Sequence, residues 1–195
     1  MRTLLRPALA LLALFSLGTG LLYPLLLTAV IGLMFPDQAR GSLLTAGGRV
    51  VGSRLVGQPF EGPGYFHGRP SATSPYPYNA ASSSGSNLGP SSAALLEAVK
   101  ARVAALRAEH PEMGATPIPI DLVTTSGSGL DPHLSPAAAA YQIRRVARVR
   151  GRSVEQLRAL VAQHTEGRLL GLWGEPRVNV LTLNLALDQL DGPRS

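Results

Sequence analysis

No cysteine occurs in the 195 residues. That excludes disulfides, thiolate zinc sites, iron–sulfur clusters and a cysteine nucleophile. It leaves the compartment open, because a cysteine-free chain suits either side of a bacterial membrane. Lysine is nearly absent: all but one of the 18 basic residues are arginine, and the exception is Lys100. A phosphate-binding loop of the form G-x-x-x-x-G-K-[ST] is therefore missing. So is the D-K-T-G motif of an aspartyl-phosphate. Aromatic residues make up 5% of the chain, too few for base-stacking platforms. The net charge of +6 is too mild and dispersed for a nucleic-acid face, so no nucleic-acid partner is expected. The acidic residues show no EF-hand spacing. His67, His110, His133 and His164 show no metal-ligand spacing such as H-x-x-x-H. No metal site is expected.

One further absence is informative. From Pro7 to Phe35 no residue is charged. These 29 residues exceed the roughly 20 needed to cross the hydrocarbon core. A secretory signal has a shorter apolar region and a small-x-small cleavage site, whereas this run ends in Met34-Phe35-Pro36. Residues 7–35 therefore read as a retained transmembrane helix that is in contact with lipid, after a short tail 1–6. Pro24 is expected to kink it, and Gly18, Gly20 and Gly32 offer smooth patches to another helix. Arg2, Arg6 and the terminal amine favour a cytoplasmic N-terminus. The domain beyond the span is then expected outside the cytoplasm.

The remainder reads as a juxtamembrane linker 36–48, one α+β domain 49–190 and a C-terminal tail 191–195. Val51, Leu55 and Val56 are strand-like, with Gly52 and Gly57 as bulges. Glu61–Ser92 is a long stretch rich in Gly, Pro and Ser. Its Tyr65, Phe66, Tyr76 and Tyr78 argue for order, packed against something, as opposed to a flexible tether. A helix follows, capped by Ser91 or Ser92, with Leu96, Val99, Val103 and Leu106 at steps of three and four, ending at His110-Pro111. Ile118, Ile120 and Leu122 suggest a short edge strand. Ser135-Pro136 opens a second helix, closed by Gly151. Its arginines, among them Arg144, Arg145 and Arg148, read either as a solvated face or as a surface for an acidic partner. Ser153 and Gln156 form a capping box for a third helix. "RVNVLTLNLALDQL" alternates as a strand, though its leucines would also support a helix in the second half.

The stretch "TTSGSGLDPHLSP", Thr124 to Pro136, concentrates hydroxyls, glycines, an aspartate and a histidine. It fails the G-x-S-x-G elbow at both ends, which weakens a hydrolase built on Ser128, Asp131 and His133. Its simplest role is a turn into a helix, with His133 as a polar loop residue. The amides of Ser126, Gly127, Ser128 and Gly129 could alternatively hold an anion or phosphate.

Several blocks, in order, resemble one family. "GSRLVGQPF", "YFHGRPSA", "YNAASSSGSNLGPS", "DLVTTSGSGLDPHLSPAAAAYQIRRVARVRG" and "LVAQHTEGRLLGLWGEPRVNVLTLNLALD", behind a single anchor, are similar to the C subunit of the Kdp potassium-transporting ATPase. The resemblance implies a bacterial plasma-membrane complex. Its partners would be a P-type ATPase subunit, a channel-like potassium-binding subunit and a very small subunit. Potassium would be the cargo of the complex and not bound here. The C subunit would have no catalytic site of its own, serve assembly, and act as a catalytic chaperone raising the ATPase subunit's affinity for ATP. The resemblance also implies a nucleotide contact at Gln142, in "AAAAYQIRRVA". An external domain does not meet cytoplasmic ATP, so that contact and the orientation argued above exclude each other. Both stand here as expectations.

Overall fold

The computed structural model describes residues 2–191, and the tail from residue 192 onward lies outside them. The chain forms two compact units, dividing between Leu43 and Leu44.

The first unit is dominated by one long apolar helix. α1 (Arg2–Leu17) runs through a π-helical turn at Gly18–Leu22 into α2 (Tyr23–Met34). Thr3–Met34 is long and apolar enough to cross a membrane. Helical structure thus starts at Arg2, inside the segment read as a tail. Pro24 has no N–H to donate one turn back, and the helix accommodates it by widening: the Tyr23 N–H bonds to the Gly18 carbonyl. The short α3 (Pro36–Ala39) follows.

The segment read as a linker also contains half of a hairpin. β1 (Leu43–Ala46) and β2 (Arg49–Ser53) pair across Gly47-Gly48. Both glycines have positive φ, +56° and +75°, as the tight two-residue hairpin turn requires. β2 stops at Ser53, so Leu55 and Val56 lie in a turn and not in the strand expected there.

α4 (Ala93–Glu109) follows the long loop. Ser92 holds its N-cap position, but no serine side chain caps it. No strand forms at 118–122. Two prolines interrupt its hydrogen bonding, Ile120–Leu122 makes a single 3-10 turn, and Ile120 is exposed. β3 (His133–Leu134) leads into α5 (Pro136–Arg150), so His133 is a strand residue. The Ser135 hydroxyl accepts the Ala138 N–H at 3.1 Å, and Gly151 closes α5 at φ +63°. α6 (Val154–Gln163) carries the complete capping box of Ser153 and Gln156. β4 (Thr165–Glu166) and β5 (Arg177–Asn179) complete a three-stranded antiparallel sheet, ordered β3-β5-β4. His133 faces Asn179 and Thr165 faces Val178.

The strand expected over 177–190 ends at Asn179. There its side chain accepts the Thr182 N–H at 3.1 Å and starts α7 (Val180–Leu190). Val180, Leu183, Asn184 and Leu187 are buried at a helical period. The core lies between α5, α6, α7 and β5: Ile143, Val146, Leu157, Val161, Val178, Leu183 and Leu187 pack together with Phe66 from the loop. A second cluster joins Leu122, Leu134, Ala138, Tyr141 and Val180. The domain is α+β, behind one bilayer-length helix.

Candidate functional site

The region between β2 and α4 has almost no secondary structure, yet side chains from other elements hold its backbone at several points. Phe66 is fully buried. Its N–H donates to Asn184 Oδ1 and its carbonyl accepts from Asn184 Nδ2, both at 2.9 Å. The next residue repeats the pattern toward another helix. His67 N–H donates to Gln142 Oε1 at 2.8 Å, and Gln142 Nε2 donates to the His67 carbonyl at 3.0 Å. Successive residues of an extended chain present their backbone groups to opposite sides. Here the two sides are served by side-chain amides from α5 and α7, which replace the missing neighbouring strands. Gln142 and Asn184 are each 1% exposed.

Arg145 extends this cluster. It is 1% exposed, which corrects the reading of the α5 arginines as one solvated face; of the three ion-paired arginines on that helix, Arg145, Arg148 and Arg150, only Arg148 is largely exposed. Arg145 Nη2 donates to Gln142 Oε1 at 2.8 Å, Nε donates to His110 Nε2 at 3.3 Å, and Nη1 donates to the Pro63 carbonyl. Glu109 Oε1 lies 3.3 Å from both Arg145 Nε and His67 Nδ1. Burial, then the neighbouring Arg145 guanidinium, pushes the pKa of both His67 and His110 below the ordinary histidine value. His110 therefore accepts from Arg145 as a neutral ring.

A second anchor sits at the far end of α5. Arg150 Nη1 pairs with Asp188 at 2.9 Å and with Asp191 at 2.5 Å, and Arg150 Nε donates to the Gly64 carbonyl at 2.7 Å. Its guanidinium lies 4.4 Å from the Tyr65 ring centroid. The Tyr65 hydroxyl donates to Asp188 at 3.0 Å.

The Ser/Gly turn is the third place where the loop is held. Ser71 Oγ donates to the Gly129 carbonyl at 2.7 Å, Ser83 Oγ to the Ser128 carbonyl at 3.0 Å, and Arg69 Nη2 to the Thr125 carbonyl at 3.2 Å. Ser126 is buried. Backbones approach too closely here for side chains: a Cβ on Gly85 would lie 2.7 Å from the Gly127 carbonyl oxygen. The turn thus meets the loop through its carbonyls. The N-terminus of α5 already faces an anionic group, because Asp121 accepts from the Ser135 N–H at 2.8 Å and from its hydroxyl at 3.2 Å. Asp131 takes the His133 N–H at 3.0 Å and the Arg69 guanidinium at 3.2 Å. Burial raises its pKa, but the His133 hydrogen bonds and Arg69 outweigh that and leave it lowered. The pKa of Tyr78, half-buried beside Asp131, is pushed up to about 12 by partial burial and then by that carboxylate. An open groove of about 650 Å³ runs past Arg69, Asp121, Asp131, His133, Glu175 and Arg177.

Of the residues singled out from sequence, Asp131 and His133 meet: His133 Nδ1 lies 3.4 Å from Asp131 Oδ1. No hydrogen bond joins Ser128 to either of them; its hydroxyl accepts the Leu130 N–H at 3.1 Å. Gln142 lies in the buried cluster on α5, apart from the turn's hydrogen bonds. Sequence reasoning missed Asn184, Arg145 and His110. The one available signal was a polar residue on an otherwise apolar face, as at Asn184 in "LTLNLALD".

The fold and the site define a class: a protein with one bilayer-length apolar helix and an α+β domain whose buried polar side chains hold a long loop in place. The sequence model of the family described as "K+-transporting ATPase, c chain" (KdpC) matches residues 5–189. A protein of Sorangium cellulosum named "Potassium-transporting ATPase KdpC subunit" is 66% identical over 184 residues, covering 94% of this chain and 96% of that one. Proteins of the same name from Herpetosiphon aurantiacus and Polaromonas naphthalenivorans are 59% and 60% identical over 190 residues. These alignments cover 97% of this chain in both cases, and 98% and 96% of the relatives. The chain belongs to the KdpC family.

Proposed function

We propose that the chain is the C subunit of an ATP-driven potassium transporter in a bacterial inner membrane, and that it serves as a non-catalytic brace for the complex. Its partners are then the ATPase subunit, the channel-like potassium-binding subunit and the small subunit, with lipid around the N-terminal helix. Arg2 and Arg6, ahead of an uncharged span, favour a cytoplasmic N-terminus and an extracytoplasmic domain. The observation that carries the bracing role is the state of Gln142. It is 1% exposed, and both amide atoms are engaged by His67 and Arg145. A nucleotide reaching it would have to displace the loop and leave buried backbone groups unpaired.

Two experiments test this reading. Tagged full-length chain should co-purify the other transporter subunits, and its failure to do so would count against membership of the complex. Protease added to intact spheroplasts should cleave the domain; protection would put it in the cytoplasm and favour the chaperone role with ATP. In that case the assembled complex should lose ATP affinity when Gln142 is replaced. The anion reading of Ser126–Gly129 is tested by phosphate titration of the full chain, monitored at those backbone amides by NMR.

A further inference from the structure

The ten residues between β4 and β5 end in an apolar tip. Leu169, Leu170, Leu172 and Trp173 are 69%, 80%, 71% and 61% exposed, and no charged residue interrupts the stretch from Leu169 to Gly174. We propose that this tip inserts into the interfacial layer of the lipid bilayer and forms a second, peripheral membrane contact for the domain. The proposal rests on the reading of the N-terminal helix as a retained span.

Three observations favour lipid over a protein partner. First, the tip closes part of its own backbone, holding four of the six N–H groups from Leu169 to Gly174. Leu169 N–H donates to the Trp173 carbonyl at 2.8 Å, Trp173 N–H and Leu172 N–H donate to the Leu169 carbonyl at 3.1 Å, and Gly171 N–H donates to the Arg168 carbonyl at 3.1 Å. Partial closure lowers the cost of leaving bulk water, and the headgroup layer can serve the groups that remain. Second, charge at the base is neutralised in place. Arg168 pairs with Glu175 at 2.8 Å and Arg177 with Glu166 at 3.0 Å. The four charged groups thus form a collar of zero net charge beneath an apolar cap headed by tryptophan, the side chain most at home at headgroup depth. Third, the tether is short: residues 35–43, which include α3, separate the long helix from the domain and span less than the roughly 30 Å that a fully extended chain of that length would reach.

Trp173 is the only tryptophan in the chain, so it reports on its own surroundings. The full-length chain is reconstituted into vesicles of zwitterionic phosphatidylcholine, either unmodified or brominated on the acyl chains. Flotation with the vesicles checks the anchor independently. The expected result is blue-shifted Trp173 emission, largely quenched in the brominated vesicles and insensitive to salt, because the collar carries no net charge. The double substitution Leu170→Asn and Leu172→Asn should return the emission to that of a water-exposed indole. Asparagine suits the positive φ of +52° at position 170, so the variant should fold, as checked by unchanged circular dichroism. Emission typical of water and unaffected by bromine, in chain that floats, overturns the proposal. So does a blue shift that appears only when the other transporter subunits are added and that bromine does not quench, since the tip would then dock on protein. Chain that does not float refutes the anchor instead.

Discussion

Replacing Gln142 by leucine separates a structural from a nucleotide-binding role. Leucine fills a similar space on α5 but can neither accept nor donate a hydrogen bond. It leaves the His67 N–H, the His67 carbonyl and one Arg145 N–H without the partners now at 2.8, 3.0 and 2.8 Å. Each orphaned buried group costs about 1–3 kcal/mol, so the three sum to about 3–9 kcal/mol. A loop can shift and admit water, which places the expected loss near the lower end, about 3–5 kcal/mol. Domains of this size are stable by only about 5–15 kcal/mol. Urea unfolding of the detergent-solubilised full chain, followed by far-UV circular dichroism, should therefore show a large fall in midpoint. Asn184→Leu should behave alike, because it frees the Phe66 N–H and carbonyl in the same manner. The reasoning is refuted if Gln142→Leu unfolds at the wild-type midpoint, and most sharply if the assembled complex then loses ATP affinity.

Further perturbations read other parts of the scaffold. Gly129→Ala should destabilise by at least about 2 kcal/mol, from the cost of φ +67° and from a Cβ placed 2.6 Å from the Ser84 carbonyl oxygen; unchanged thermal unfolding would contradict the packing of turn on loop. Ser135→Ala should cost about 1 kcal/mol as a lost N-cap, measured by the same unfolding curves. His67 and His110 both have lowered pKa values, so the unfolded chain binds more protons than the folded one as pH falls below about 6.5. Their contribution is complete above that pH and is lost as pH falls toward the folded values. Unfolding midpoints should therefore drop as pH falls below about 6.5, and His110→Gln should flatten the drop.

Much of the architecture was legible because it follows local rules. The uncharged run, the Ser135-Pro136 start, the Gly151 stop and the Ser153/Gln156 box each act within one helical turn, and each is found where the residues put it. Two of the failures share a cause: they depend on what lies across the chain. "VNVLTLNLALDQL" alternates well enough for a strand, yet Asn179 caps a helix and buries Asn184 against a loop more than a hundred residues earlier. The Gly47-Gly48 hairpin was missed although its turn signal is local, because the segment was taken for a linker. Arg145 sits among arginines that look alike in sequence. Only the arrival of Pro63, His110 and Glu109 from other segments, beside Gln142 on its own helix, makes it a core residue.

The same long-range contacts explain how a region of this composition is ordered without secondary structure. Glycine, proline and serine cannot bury enough apolar surface to offset the entropy of fixing them. Phe66 contributes about 1.5–3 kcal/mol by full burial, far below that cost for the whole loop. The remainder comes from distributed polar contacts: two amides at Phe66-His67, Arg145 at Pro63, Arg150 at Gly64, and the serines at Ser128 and Gly129. Such contacts are directional, and a displaced residue leaves buried groups unpaired. The loop is thereby fixed in one conformation and its outer face becomes a rigid surface. Rigidity of that kind serves a brace, which must hold partners in register, better than it serves a nucleotide site that must open to admit and release its ligand.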